Sequence, residues 1–117
     1  IYAAGYAYNT DVDNDFTVIS LTPAGNERWV YTYNGPFSFT DEALAIACGS
    51  DSNVYASGYS FGDGTREDFT VVGLNSSGDE LAVYRYNGTR SIMEKANSIG
   101  YGPDEYVYAI QWILIDD

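Results

Sequence analysis

The chain has 117 residues, 45% hydrophobic and 16% aromatic. That is enough apolar material for one packed domain and rules out an acidic disordered tail. Five basic residues against 17 acidic ones leave a net charge of −12, and histidine is absent. The charge weighs against nucleic acid and anionic membrane surfaces as partners, and the missing histidine removes the commonest general base and transition-metal ligand.

In chain order, Ile1-Tyr2-Ala3-Ala4-Gly5-Tyr6 reads as a first strand. It opens at Ile1 with neither an initiator methionine nor a charged-then-apolar leader, as expected of a mature chain or a fragment. The loop Asn9-Thr10-Asp11-Val12-Asp13-Asn14-Asp15 follows, with oxygen-bearing side chains at alternate positions. Residues 16–21 are rich in β-branched side chains and run into the turn Thr22-Pro23-Ala24-Gly25, the pattern of a strand entering a hairpin. Residues 29–33 alternate, which places Trp29, Tyr31 and Tyr33 on one strand face, and Asn34-Gly35 ends the run. In residues 43–48, Ala43, Ala45 and Ala47 are expected on one face and Leu44 and Ile46 on the other. Cys48 is the only cysteine, so no intrachain disulfide forms, and its small apolar neighbours predict a buried hydrophobe. Strands at 54–59, 69–74, 82–86 and 96–101 continue the series, and another begins at Val107-Tyr108-Ala109. The longest apolar stretch, 106–115, is interrupted by Gln111 and is about half of what a membrane-spanning helix needs.

These strands fall into repeats. Displacing the chain by 53 positions superposes Tyr2-Ala3 on Tyr55-Ala56, Asp15-Phe16-Thr17-Val18 on Asp68-Phe69-Thr70-Val71, and Tyr33-Asn34-Gly35 on Tyr86-Asn87-Gly88. In all, 21 of 53 positions are identical without a gap. The chain therefore divides into repeat 1 (1–53), repeat 2 (54–106) and the start of a third (107–117). Four short antiparallel strands in a unit of about 40 to 50 residues form the pattern of a β-propeller blade. The expected fold is all-β, with about two blades per chain and a ring that stays incomplete unless the chain oligomerises or belongs to a longer one. One complete blade is expected over about 41–88, with three strands of a blade before it and one or two of a blade after. The small residues of 43–48 suit the crowded innermost position.

The combined spacing resembles the bacterial and archaeal β-propeller repeat of the SBBP type. It is carried by Asp41-Ala43-Ile46, Val54-Tyr55-Gly58, Asp68-Phe69-Val71-Leu74-Gly78 and Tyr84-Tyr86-Gly88, and it covers nearly the whole chain. Three positions depart from it: Ala82 where Trp29 has its equivalent, Glu94 where Asp41 stands, and Gln111 where a glycine is expected. The resemblance implies a secreted or cell-surface protein and supplies no shared catalytic residues.

Candidate chemistry is sparse. Asp11, Asp13 and Asp15 present alternating carboxylates of the kind calcium takes, although no closing bidentate carboxylate is apparent. The competing and favoured reading is an acidic turn, with Asp15 and Asp68 pinning equivalent strand starts. Apart from calcium, no cofactor is expected. Asn75 and Asn87 open sequons, Asn75-Ser76-Ser77 and Asn87-Gly88-Thr89, and are candidate glycosylation sites. Paired carboxylates could serve a glycosidase, but acidic residues that recur in each repeat more readily serve the repeat. The tyrosines suit packing between neighbouring sheets or stacking on a ligand. Expected partners are other copies of the chain or the rest of a longer propeller, with a glycan or protein ligand. The leading expectation is a non-enzymatic extracellular or cell-surface scaffold or binding module. The alternatives are a propeller-type glycoside hydrolase and a structural subunit of a surface layer or filament.

Overall fold

A computed structural model describes residues 1–8, 13–37, 39–88 and 93–112, with Trp112 described through its backbone alone. Its strands are β1 (Tyr2–Tyr8), β2 (Asn14–Leu21), β3 (Glu27–Tyr33), β4 (Glu42–Cys48), β5 (Val54–Phe61), β6 (Glu67–Leu74), β7 (Glu80–Tyr86), β8 (Lys95–Tyr101) and β9 (Val107–Trp112). The protein is all-β, and no helix occurs among the described residues. Three antiparallel sheets follow one another: β1-β2-β3, then β4-β5-β6-β7, then β8-β9. They do not close into a ring, which fits an incomplete propeller.

The central strands carry the core. Phe16 and Val18 of β2 meet Ala43, Val54, Ala56, Val72 and Leu74 of the second sheet, and all seven are buried. Withdrawing each of the larger of these side chains from water contributes roughly 1.5–3 kcal/mol. Trp29, Tyr31 and Tyr33 pack against this core from a single face of β3, as the alternation predicts. In β4 the expected alternation fails. Its register against β5 shifts between Ala43 and Ala45, so Leu44 bulges outward into solvent while Ile46 reaches the core. Cys48 is also not the buried hydrophobe expected, because it ends an edge strand and is exposed.

The geometry repeats as closely as the sequence does. Tyr2 pairs with Ser20 and Tyr55 with Gly73; Phe16 pairs with Tyr33 and Phe69 with Tyr86. Bulges recur at Ser20/Leu21 and Gly73/Leu74, and again at Ala43/Ala45 and Ala96/Ser98. Each residue in these sets is matched 53 positions later, so register and irregularity are both properties of the repeat.

Candidate functional site

Antiparallel order sends the connections to two opposite ends, and the two ends are built differently. One carries tight turns that repeat in detail. The turn after β2 closes with the Thr22 amide donating to Asn26 O (2.8 Å), and the turn after β6 with the Asn75 amide donating to Asp79 O (2.9 Å). Gly25 and Gly78 both take φ near the left-handed region, +87° and +86°. At the turn after β4, Asp51 accepts from the Asn53 amide (2.9 Å), the Asn53 side chain (2.8 Å) and the Tyr55 hydroxyl (2.9 Å). Asp104 accepts equivalently from the Tyr106 amide (3.2 Å) and from the Tyr108 hydroxyl. These bonds hold the carboxyls of Asp51 and Asp104 below the ordinary range, chiefly through the Asn53 amide and the Tyr108 hydroxyl respectively. Asn75 is also absorbed here. Its Oδ1 accepts from the amides of Ser77 (2.9 Å) and Asp79 (3.0 Å), and its Nδ2 donates to Asp79 (3.0 Å), so the side chain serves the turn.

The opposite end, after β1, β3, β5 and β7, is where the repeats diverge. Asp41 organises it. The Asp41 amide donates to Asn14 O (2.7 Å), while its carboxylate accepts from the amides of Gly35 (2.7 Å) and Phe61 (3.2 Å), joining first sheet, connection and second sheet. Burial pushes this carboxyl up to about 6, against the pull of those two amides, and the charge of Asp15 adds to the rise. Glu94 does the same work one repeat later: its amide donates to Glu67 O (2.7 Å) and its carboxylate accepts from Gly88 N (2.6 Å). The Asp41-to-Glu94 departure noted in the sequence therefore keeps the bond to the loop glycine.

Around these hubs the chemistry differs from copy to copy. The Asn14 side chain donates to Glu42 (3.2 Å) between first and second sheets, and the equivalent pair is an ion pair, Lys95 to Glu67 (3.6 Å). Lys95 also lies 4.1 Å from the centre of the Tyr59 ring. Asp68 is bound by Arg85 (2.8 Å) and the Thr65 hydroxyl (3.1 Å), where the first repeat has Thr32 in place of the arginine. Phe37 and Phe39 stack at 6.1 Å and are both exposed, and Phe39 meets Phe61 at 5.7 Å.

Asp11 lies outside the described residues. Asp13 is only 8% exposed, with neither carboxylate oxygen hydrogen-bonded among the described residues, and Asp15 is engaged with its surroundings. Among the described residues no three acidic, cysteine or histidine side chains converge on one point. Asn87 is exposed at the same end, but its sequon partner Thr89 is outside the described residues. The tyrosines divide: Tyr59 is buried and Tyr31 donates to Glu80 (2.6 Å) across the first two sheets, whereas Tyr6, Tyr8, Tyr84 and Tyr86 are exposed. The Phe37-Phe39-Phe61 cluster escapes sequence reasoning because it has no counterpart in the second repeat. Asp41 is legible in retrospect, since Gly35 to Asp41 and Gly88 to Glu94 share one spacing. No family model matches the chain, and no curated protein matches it.

Proposed function

We propose that the chain is part of a β-propeller of the SBBP-like repeat type and acts as a non-enzymatic extracellular or cell-surface binding module, offering the loop-bearing end of its sheets to a glycan or a protein. The observation that carries this reading is the contrast between the ends. The turns that recur from one repeat to the next serve the repeat, whereas the divergent end displays stacked, exposed Phe37 and Phe39. Paired aromatic faces suit a sugar ring or an apolar peptide side chain. The acidic surface suits an extracellular setting.

A glycoside hydrolase is the weaker alternative. Among the described residues the one carboxyl raised toward neutrality, Asp41, is fully buried and has an oxygen committed to each of two backbone amides, which favours a structural role over proton donation. The test is an oligosaccharide and peptide array run beside chromogenic glycosides. Saturable binding that is lost in Phe39→Ala, with circular dichroism unchanged and no glycoside turned over, is the expected result. Turnover of any glycoside, or binding indifferent to Phe39, overturns it.

A further inference from the structure

Two equivalent places in the repeat join a reactive dipeptide to a buried carboxylate. Asn34-Gly35 follows β3, and Asn87-Gly88, 53 positions on, follows β7. Asn-Gly commonly closes two-residue hairpins, where glycine supplies a positive φ. Neither copy does so here: each leads from one sheet toward the next, and neither glycine has a positive φ. What excludes a side chain is the acid six residues on. A Cβ at Gly35 falls 2.9 Å from Asp41 Oδ1 and 2.7 Å from Ser60 Oγ, and a Cβ at Gly88 falls inside van der Waals contact with Glu94 Oε1. Asp41 is fully buried and Glu94 only 4% exposed, and each carboxylate holds a backbone amide, so swinging either aside breaks the hub. The hub therefore requires glycine at both places.

That requirement has a chemical consequence. With no Cβ beside it, the nitrogen of a glycine is the least hindered for attack on the side chain of a preceding asparagine. In that reaction the Gly35 nitrogen bonds to Asn34 Cγ, the Cγ–Nδ2 bond breaks, and the proton from the Gly35 nitrogen leaves with Nδ2 as ammonia. Water then adds to either carbonyl of the succinimide and opens it to aspartate or to isoaspartate, whose backbone is one methylene longer. Asn87 and Gly88 offer the same atoms. The two carboxylates oppose this step. The Gly35 amide donates to Asp41 Oδ2 (2.7 Å) and the Gly88 amide to Glu94 Oε2 (2.6 Å). A succinimide nitrogen carries no hydrogen, so cyclisation in place removes a charge-assisted bond and leaves a buried oxygen without its donor.

We infer that Asn34 and Asn87 are sites of spontaneous deamidation, and that Asp41 and Glu94 guard them, each holding the glycine nitrogen of its own hub until that hub opens. Each acid both forces the reactive dipeptide on the sequence and restrains its reaction. Conversion at Asn34 strikes where first sheet, connection and second sheet are tied together, through the Asp41 amide on Asn14 O (2.7 Å) and the Phe61 amide on Asp41 Oδ1 (3.2 Å). The added methylene of isoaspartate carries the Gly35 amide away from Asp41, so the change is a one-way record of hub opening. None of this depends on what the loop-bearing end binds.

The test is to age the full chain at mildly alkaline pH, with and without urea, and to score Asn34 and Asn87 separately by peptide mass spectrometry with isoaspartyl methyltransferase labelling. In the folded wild type both sites should react at least ~10-fold more slowly than in the urea-unfolded chain. Asp41→Ala should accelerate Asn34 about 10-fold and leave Asn87 unchanged, and Glu94→Gln should accelerate Asn87 alone. Asp41→Asn keeps the side-chain shape and a neutral acceptor, so it should fall between wild type and Asp41→Ala, and it carries the test where Asp41→Ala does not fold. Each site is the other's control, because global unfolding accelerates both. Folded wild-type rates equal to those in urea overturn the inference. So does an Asp41→Asn chain whose Asn34 reacts no faster than the wild type, or a variant, folded by circular dichroism, in which both sites accelerate together.

Discussion

Tyr6 and Tyr59 occupy equivalent positions in strands of the same register, yet Tyr6 is 59% exposed and Tyr59 only 6%. The difference comes from neighbours rather than from sequence. β5 has β4 along one edge, β6 along the other and the Lys95 side chain over the Tyr59 ring, whereas among the described residues β1 pairs only with β2. Burial of Tyr59, with the bond to Glu42 and its charge, raises its phenol well above the usual value. The first sheet and the second are thus one construction observed with and without its surroundings, and each substitution below acts differently in the two places.

The largest contrast is between two glycines. Gly58→Ala drives a methyl group into the Glu42 carbonyl, which is backbone and cannot rotate away. It should cost about 4 kcal/mol, at the high end of overpacking, and appear as a large drop in denaturation midpoint. Gly5→Ala in dilute solution meets no atom and should change stability by less than about 0.5 kcal/mol. Equal losses at both positions would mean that the two strands are not equivalent.

The buried hub at Asp41 gives the next effect, in pH dependence. Its carboxyl is raised from 3.8 to about 6, so the folded state holds the proton more tightly than the unfolded state. Stability is therefore greatest with Asp41 protonated, and roughly 3 kcal/mol of it is lost as pH rises from about 4 to above 6. Asp51 and Asp104, whose carboxyls are lowered, act in the opposite direction and in a more acidic window. Asp41→Asn should flatten the loss between pH 4 and 6 and leave the acid limb unchanged. Urea denaturation of both proteins across that range measures the difference.

Arg85 has no basic counterpart in the first repeat, where Thr32 stands. Arg85→Thr therefore converts the second sheet to the first sheet's chemistry at that point. It leaves Asp68, whose side chain is 7% exposed, with the Thr65 hydroxyl but no cation. A loss of about 2 kcal/mol in denaturation is expected, between the values for exposed and fully buried pairs. Thr32→Arg in the first sheet should return much less, because its acidic equivalent, Asp15, is already engaged with its own surroundings.

What was legible in the sequence followed what repeats. Strand alternation, such as Trp29-Tyr31-Tyr33 on one face, needs only a period of two, and the 53-residue offset carries it from copy to copy. The grouping of strands into three, four and two follows from the same offset. Two kinds of feature were hidden. The bulge at Ala43/Ala45 exposes Leu44 and depends on how β4 meets β5, which strand periodicity does not encode. The exposure of Cys48 is hidden for a related reason: apolar neighbours in sequence do not reveal that a strand lies at an edge. At the candidate site, the acidic loop is visible in composition alone, whereas the aromatic cluster spans a connection and the end of β5, and only the fold brings Phe39 to Phe61.

The smallest effect distinguishes the two sheet-to-sheet junctions themselves. Asn14 with Glu42 and Glu67 with Lys95 are equivalent pairs, but the first is a hydrogen bond to a carboxylate and the second an ion pair at 3.6 Å. Lys95 retains a third of its side-chain exposure, so screening limits the pair to less than about 1 kcal/mol. Salt should separate the junctions. The coupling in a Glu67→Gln, Lys95→Met double-mutant cycle should shrink as ionic strength rises toward molar, where the Debye length falls to about 3 Å. The coupling between Asn14 and Glu42, one partner of which is neutral, should shrink much less. Lys95 also covers the Tyr59 ring, a contact that Glu67→Gln leaves in place. A stability difference between Lys95→Met and Glu67→Gln that persists at high salt therefore measures the ring contact, while one that vanishes assigns the whole effect to the ion pair.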